Sequence, residues 1–251
     1  MSQYKFFAKV YDRMMDNIPY DEWKQFLLQL MYRYKVKPCA KIAELGCGTG
    51  TMTMRLAEDG FQMTGIDLSE EMLEAARAKD PYSDYKCMDM RELVLPEKQD
   101  VIISVCDSMN YLLTTEDLYK TIAAARDNLK EGGIFIFDLK TEYFYKVILD
   151  GYTDKDDFGD FSYVWKNIYD YDTKIHKYYL KFRYTETDEI GRKVDKAERE
   201  VHRQRAFSAA EIREAAERAG FTHAAVYGGS CIEKPRLNSE RIFICLQVLP
   251  R

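Results

Sequence analysis

The chain has 251 residues, of which 46% are apolar, 31% charged and 14% aromatic, proportions that speak for a globular protein and against a disordered tail or a membrane-embedded bundle. Lys plus Arg number 37 against 42 Asp plus Glu, a net charge of −5, so the general positive field that phosphate backbones reward is missing and nucleic acid is disfavoured as a partner. No apolar run approaches the roughly 20 residues that cross a bilayer, and Met1-Ser2-Gln3-Tyr4-Lys5 leads into no signal-peptide core; a cytoplasmic protein with no membrane partner is expected.

In chain order, residues 1–35 read as helical, with Phe6, Phe7, Val10, Met14 and then Trp23, Phe26, Leu27, Leu30 and Tyr34 recurring near the helical period around a break at Pro19. This segment is expected to be a lid. From Lys41 to Asp138 short apolar runs alternate with helical segments: Lys41–Leu45, a helix to Asp59, Met63–Ile66, a helix from Ser69, Tyr85–Met88, Val101–Val105, a helix to Leu129, and Ile134–Phe137. Such alternation predicts βαβ units, hence a doubly wound α/β sheet with helices on both faces. Gly132-Gly133 reads as the turn into the last of these strands.

Between about 140 and 206 the rhythm changes to aromatic residues alternating with charges, as in Tyr178-Tyr-Leu-Lys-Phe182-Arg-Tyr184. An inserted antiparallel sheet is expected, with Glu189-Ile-Gly191-Arg turning between strands Lys177–Thr187 and Lys193–Phe207. Ser208-Ala-Ala-Glu211 reads as a capping box opening a helix closed by Gly220. Strands near Ala224–Tyr227 and Arg241–Val248 end the chain. The expected organisation is therefore N-terminal helices and an α/β core over 1–139, an inserted sheet over 140–206, and the rest of the core over 207–251. The six cysteines show no CxxC pair and no His at a metal-ligand spacing, so buried free thiols and no metal site are expected.

The strongest chemical signal is Glu44-Leu45-Gly46-Cys47-Gly48-Thr49-Gly50, placed where a strand turns into a helix. Glycines there allow a tight turn and a close approach of ligand to main chain. A dinucleotide fingerprint wants its third glycine at the sixth position, which is Thr51 here, and the Glu44 carboxylate is an awkward neighbour for a pyrophosphate. A cofactor with a positive centre fits better. Asp67, in Gly65-Ile-Asp67-Leu68-Ser69, ends the next strand, where a carboxylate can accept both ribose hydroxyls. Asp89 follows the third strand, where it could take an adenine amino group, with Met88 or Met90 on the ring.

These residues resemble the class I S-adenosylmethionine-dependent methyltransferases, over about Lys41 to Asp138. The resemblance implies S-adenosyl-L-methionine as cofactor, with Gly46, Cys47 and Gly48 at its methionine end, Asp67 and Leu68 at the ribose and adenine, Asp89 and Met90 at the adenine, and Cys106 near the sulfonium. Glu44 and Met72 complete the expected cofactor shell. More narrowly, Tyr4-Lys-Phe-Phe-Ala8-Lys-Val-Tyr11-Asp12, Ile18-Pro-Tyr20-Asp-Glu-Trp23, Asp107-Ser-Met-Asn110-Tyr111-Leu and Arg205-Ala-Phe-Ser208 look like a bacterial group of unassigned substrate, similar in layout to sugar N,N-dimethyltransferases and glycine-type N-methyltransferases. By that likeness Tyr11 and Tyr20 close over the cofactor.

Candidate catalytic residues are Tyr11 and His202, the latter a general base in a strand that could line the pocket. Plainer readings stand beside these: Asp67 as a helix cap, Tyr11 and Tyr20 as helix packing, His202 as a surface-strand residue, and the aromatic alternation as a sheet packing its own face. Methyl transfer chiefly needs an aligned nucleophile and excluded water. The expected enzyme methylates an N or O atom of a small molecule, as a monomer or homodimer, with RNA or protein methylation as the alternative. A non-catalytic S-adenosylmethionine-binding module and a nicotinamide oxidoreductase are the remaining readings.

Overall fold

A computed structural model describes residues 5–188 and 190–248. Tyr4 of the N-terminal motif and Glu189 of the expected hairpin turn lie outside them. Two helices, α1 (Lys5–Met14) and α2 (Tyr20–Arg33), flank Pro19, whose fixed φ and missing N–H suit the boundary between them. The alternating region then folds as β1 (Lys41–Leu45), α3 (Thr51–Glu58), β2 (Gln62–Asp67), α4 (Glu70–Lys79), β3 (Asp84–Cys87), β4 (Gln99–Ser104), α5 (Thr115–Asn128) and β5 (Leu129–Lys140). Strands β1 to β5 are parallel, in the order β3-β2-β1-β4-β5.

Alternate residues of these strands enter two cores. Ala43, Leu45, Ile102, Phe135 and Phe137 pack beneath α5, while Ile42, Val101, Ile103, Ile134 and Ile136 meet Phe26, Leu27, Leu30, Met52 and Leu56 of α2 and α3. Being buried on both faces is why these strands read as continuous apolar runs.

The last strands, β10 (His223–Gly228) and β11 (Arg241–Gln247), join the same sheet, and β11 lies antiparallel between β5 and β10. Strand β5 starts five residues before the expected Ile134, because Leu129 already pairs with Gln99. The glycine pair therefore lies within the strand: the register jumps from Gln99 to Val101 across it, Gly132 takes φ +76°, and its N–H donates to the Val248 carbonyl at 3.1 Å. It makes a bulge rather than a turn.

The second sheet is antiparallel, in the order β6 (Thr153–Asp157), β7 (Phe161–Asp170), β8 (Ile175–Thr187), β9 (Lys193–Arg205). Its β6, Thr-Asp-Lys-Asp-Asp, carries no apolar alternation and so leaves no strand signal; it is a charged edge strand. The inner face presents Phe161, Tyr163, Tyr178, Leu180, Phe182 and Tyr184 to Phe6, Phe7, Val10 and Met14 of α1. Phe6 stacks on Tyr184 with ring centroids 3.7 Å apart, and Arg13 forms a two-pronged pair with Asp160 at 2.7 Å. A π-helical turn over Phe144–Leu149 leads into this sheet, and α6 (Ala209–Arg218) leads out of it, opened by the capping box of Ser208 and Glu211.

The cysteines are free thiols, but Cys39, Cys87 and Cys231 are exposed where burial was expected, each in a loop or at a strand end beyond the cores. Among the described residues no helix is long and apolar enough to cross a membrane.

Candidate functional site

A cavity of about 670 Å³ opens at the carboxyl edge of the parallel sheet. At one end stands the loop after β1. Gly46, Gly48 and Gly50 all have positive φ, at +68°, +53° and +74°, which glycine adopts without a Cβ penalty. A Cβ on Gly46 would lie 2.5 Å from that of Ser108, whose hydroxyl contacts the Gly46 carbonyl at 2.9 Å. The loop after β4 is thus clamped against the loop after β1. A Cβ on Gly48 would meet nothing within 4 Å; that residue lines the cavity and leaves its main chain open to a ligand.

Asp67 faces this loop. Its Oδ2 accepts from the Gly48 N–H at 2.8 Å and its Oδ1 from the Ser69 N–H at 2.9 Å, so one carboxylate fixes two loops and keeps a further lone pair on each oxygen. Burial raises its pKa, against the pull of those backbone donors. Ser69 itself caps α4, accepting from the Met72 N–H at 3.3 Å. Leu68, Met72, Met88 and Met90 add apolar wall.

Asp89 also lines the cavity, and it is clamped. Arg91 donates through Nε to Oδ1 at 3.0 Å and through Nη2 to Oδ2 at 2.6 Å, which lowers the carboxyl pKa. Nη1 of Arg91 reaches Asp117 at 3.0 Å. Arg91 and Asp117 were not among the expected site residues; the i,i+2 spacing from Asp89 is the sequence signal for the arginine, whereas Asp117 arrives on a distant helix.

Cys106 and Asp107 follow β4 with φ +59° and +56°, a conformation uncommon for non-glycine residues and enriched at functional turns. Burial pushes the Cys106 thiol up to about 12. The Asp107 carboxylate accepts from Gln204 Nε2 at 2.9 Å and Arg241 Nη2 at 3.0 Å and pairs with Lys140 at 3.2 Å. Although burial opposes its charge, Lys140 and Arg241 bring its pKa below the usual value. Arg241 also pairs with the fully buried Asp138 of β5, so this cluster locks β4, β5, β9 and β11 together under the cavity.

The far end is walled by Phe7 and Tyr11 of α1, by Ser108 and Tyr111 after β4, and by Trp165, Tyr178 and Gln204 of the antiparallel sheet. The Trp165 indole N–H is buried and has no hydrogen-bond partner among the described residues. The structure sets the other expected residues slightly apart. Tyr20 and Glu44 line a small space of about 30 Å³ behind the glycine loop, which Tyr11, Gly48 and Cys106 also border. Glu44 accepts from the Thr53 hydroxyl, and burial pushes its carboxyl up to about 8. His202 is buried behind the wall rather than exposed on a strand: it stacks on Tyr178 at 4.5 Å, its Nδ1 lies 3.2 Å from the Tyr111 hydroxyl, and its Nε2 lies 3.0 Å from Glu200 Oε2. Helix α1 is held over the cavity by Asp12, which accepts from the Thr49 hydroxyl at 2.5 Å and pairs with Lys79 at 2.7 Å.

Residues 42–133 match the model of a methyltransferase domain family. A putative methyltransferase of Bacillus subtilis (strain 168) is 34% identical over 97% of this chain and 96% of its own. The dTDP-3-amino-3,4,6-trideoxy-alpha-D-glucopyranose N,N-dimethyltransferase of Streptomyces venezuelae is 29% identical over 50% of this chain and 52% of its own. Among solved structures, an S-adenosylmethionine-dependent methyltransferase from Clostridium acetobutylicum ATCC 824 superposes with a TM-score of 0.83 at 26% identity, over 98% of this chain and 99% of that one.

Proposed function

The chain belongs to the class I S-adenosylmethionine-dependent methyltransferases, and from that premise we propose that it methylates a nitrogen or oxygen atom of a small-molecule acceptor. The observation that carries this reading is the lining of the far end of the cavity: past the glycine loop the space runs between α1, the Asp107–Tyr111 turn and the inner face of the antiparallel sheet. About 670 Å³ is within the usual range for a small-molecule site. Relatives that act on amino sugars support the same class of acceptor.

The cofactor supplies an electrophilic methyl on a sulfonium. The residues present suit it: Gly48 leaves its main chain open, Asp67 holds two acceptor oxygens ready for a diol, and Met72, Met88 and Met90 offer apolar faces to a base. Tyr11 closes the sulfonium end from α1, and Tyr20 and Glu44 back the loop from behind. The protein's remaining work is alignment and exclusion of water. An acceptor amine must also shed a proton. Tyr111 faces the cavity and contacts His202, which contacts Glu200; by this route the acceptor's proton passes to the tyrosine oxygen while the tyrosine's own proton moves to His202, whose cation Glu200 balances.

Calorimetric titration with S-adenosylhomocysteine, followed by a screen of amines, amino sugars and hydroxylated metabolites with methyl-labelled cofactor, tests this function. Label on a small molecule is the expected result. Label on RNA or protein alone overturns it.

A further inference from the structure

Residues paired across an antiparallel sheet share a face, and the outward face of β6 to β9 differs in charge from the rest of the chain. Nine cations stand on it: Lys155, Lys166, Lys177, Lys181, Arg183, Lys193, Arg199, Arg203 and Arg205. Among the described residues seven of these form no ion pair, while Lys177 reaches Asp170 at 3.9 Å and Arg205 pairs with Glu211 at 2.6 Å. Acids share the face at both ends: Asp157 pairs with Ser162 and Asp195 with Thr185 at one, and Asp170 with Ile175 at the other. The chain as a whole carries 42 acidic against 37 basic residues, so nine cations against Asp157, Asp170 and Asp195 on one face is a local concentration and not a reflection of composition. At its centre Tyr179, 40% exposed, lies opposite both Lys166 and Val201.

We propose that this face is a docking surface for single-stranded RNA. Lys181 and Arg183 on β8, and Arg203 and Arg205 on β9, stand two residues apart, about 7 Å, while Lys181 lies opposite Arg199 and Lys177 opposite Arg203 at about 5 Å, which presents a positive field to a chain of phosphates. An exposed ring in the middle of a flat basic sheet is the arrangement on which an unstacked base settles. The face displays no Trp, Phe or Leu of the kind that enters a lipid headgroup layer. Four of its seven unpaired cations are lysines, which the centres of protein–protein interfaces avoid.

The cavity lies on the other side of the same sheet, since Trp165, Tyr178 and Gln204 alternate with the outward residues. RNA held on the outer face therefore anchors the enzyme and is not its methyl acceptor. The inference is independent of the acceptor proposed above.

Fluorescence anisotropy of the full chain with a labelled oligouridylate of about 12 nucleotides tests it. Binding at about 50 mM salt that falls linearly on a log–log plot, with a slope of about −0.7 per phosphate contacted, is the expected result. Lys181→Glu combined with Arg199→Glu should weaken binding at least about tenfold and flatten the slope by about 1.4. Tyr179→Ala should weaken it about fivefold or more. S-adenosylhomocysteine affinity, measured on the same variants, should not move, which also shows that they are folded. The proposal is overturned by absence of RNA binding, by binding indifferent to charge reversal, by equal competition from polyglutamate or anionic vesicles, or by displacement of the RNA with S-adenosylhomocysteine.

Discussion

The two ends of the cavity are made of different materials. At the glycine-loop end the shape is main chain: three left-handed glycines, a carboxylate gripping two backbone N–H groups, and a turn clamped by Ser108. At the far end it is side chain, with Phe7, Tyr111, Trp165, Tyr178 and Gln204 arriving from five separate elements. Backbone geometry leaves few ways to vary, whereas side chains on a sheet face can be exchanged without refolding the strands beneath. A common cofactor and a particular acceptor call for that division of labour.

The sharpest way to break the contrast is Asp67→Ala. It removes an acceptor expected to take two charge-assisted bonds from the ribose and also releases Gly48 and Ser69, so S-adenosylhomocysteine affinity should fall by about 2–4 kcal/mol in calorimetry. Gly48→Ala places a Cβ at φ +53° in open space; thermal unfolding should show a loss of about 1–2 kcal/mol from the strained backbone alone.

Glu44 gives a prediction in pH. Its carboxyl stands at about 8 against an ordinary 4.5, chiefly through burial, so the native state holds this proton more tightly than the unfolded chain. The stability so lent is complete below pH 4.5 and is lost as pH rises through 8. Glu44→Gln removes the ionisation, and its melting temperature relative to the parent should climb by about 10 °C between pH 5 and pH 8. A flat difference over that range would place the charge on Glu44 already at pH 5.

At the other end the expected effect on the cofactor is smallest. Trp165→Phe should leave S-adenosylhomocysteine affinity within about 0.5 kcal/mol while raising KM for the acceptor, since an indole N–H without a partner is lost from the wall. If instead cofactor affinity drops tenfold, the two ends are not separable.

The same contrast decides what the amino-acid order discloses. The loop after β1, Asp67 and the Ser208–Glu211 box are written in fewer than ten consecutive residues each, because a turn, a strand end and a cap are local events. The far wall is not local. Tyr178 faces the cavity and Tyr179 faces away, and nothing in a run of alternating aromatics and charges says which of two neighbours turns inward until register with β7 and β9 is set. Arg91 on Asp89 was missed for a related reason, as a surface arginine and a site arginine look alike until the cavity exists. His202 was legible as a residue of interest, but its place behind Tyr111 depended on the partner strand. The antiparallel slot of β11 beside β5 likewise depends on pairing, not on the composition of either strand.

Helix α1 touches both ends at once, through Asp12 on Thr49 and through Phe7 in the far wall. Whatever steadies it from one side lowers the ordering cost met from the other, and thermodynamic reciprocity makes the two binding events help each other equally. Acceptor affinity should therefore be higher on the S-adenosylhomocysteine complex than on the bare protein, by the same factor by which the acceptor tightens S-adenosylhomocysteine, and steady-state kinetics should show a preferred order of addition with the cofactor first.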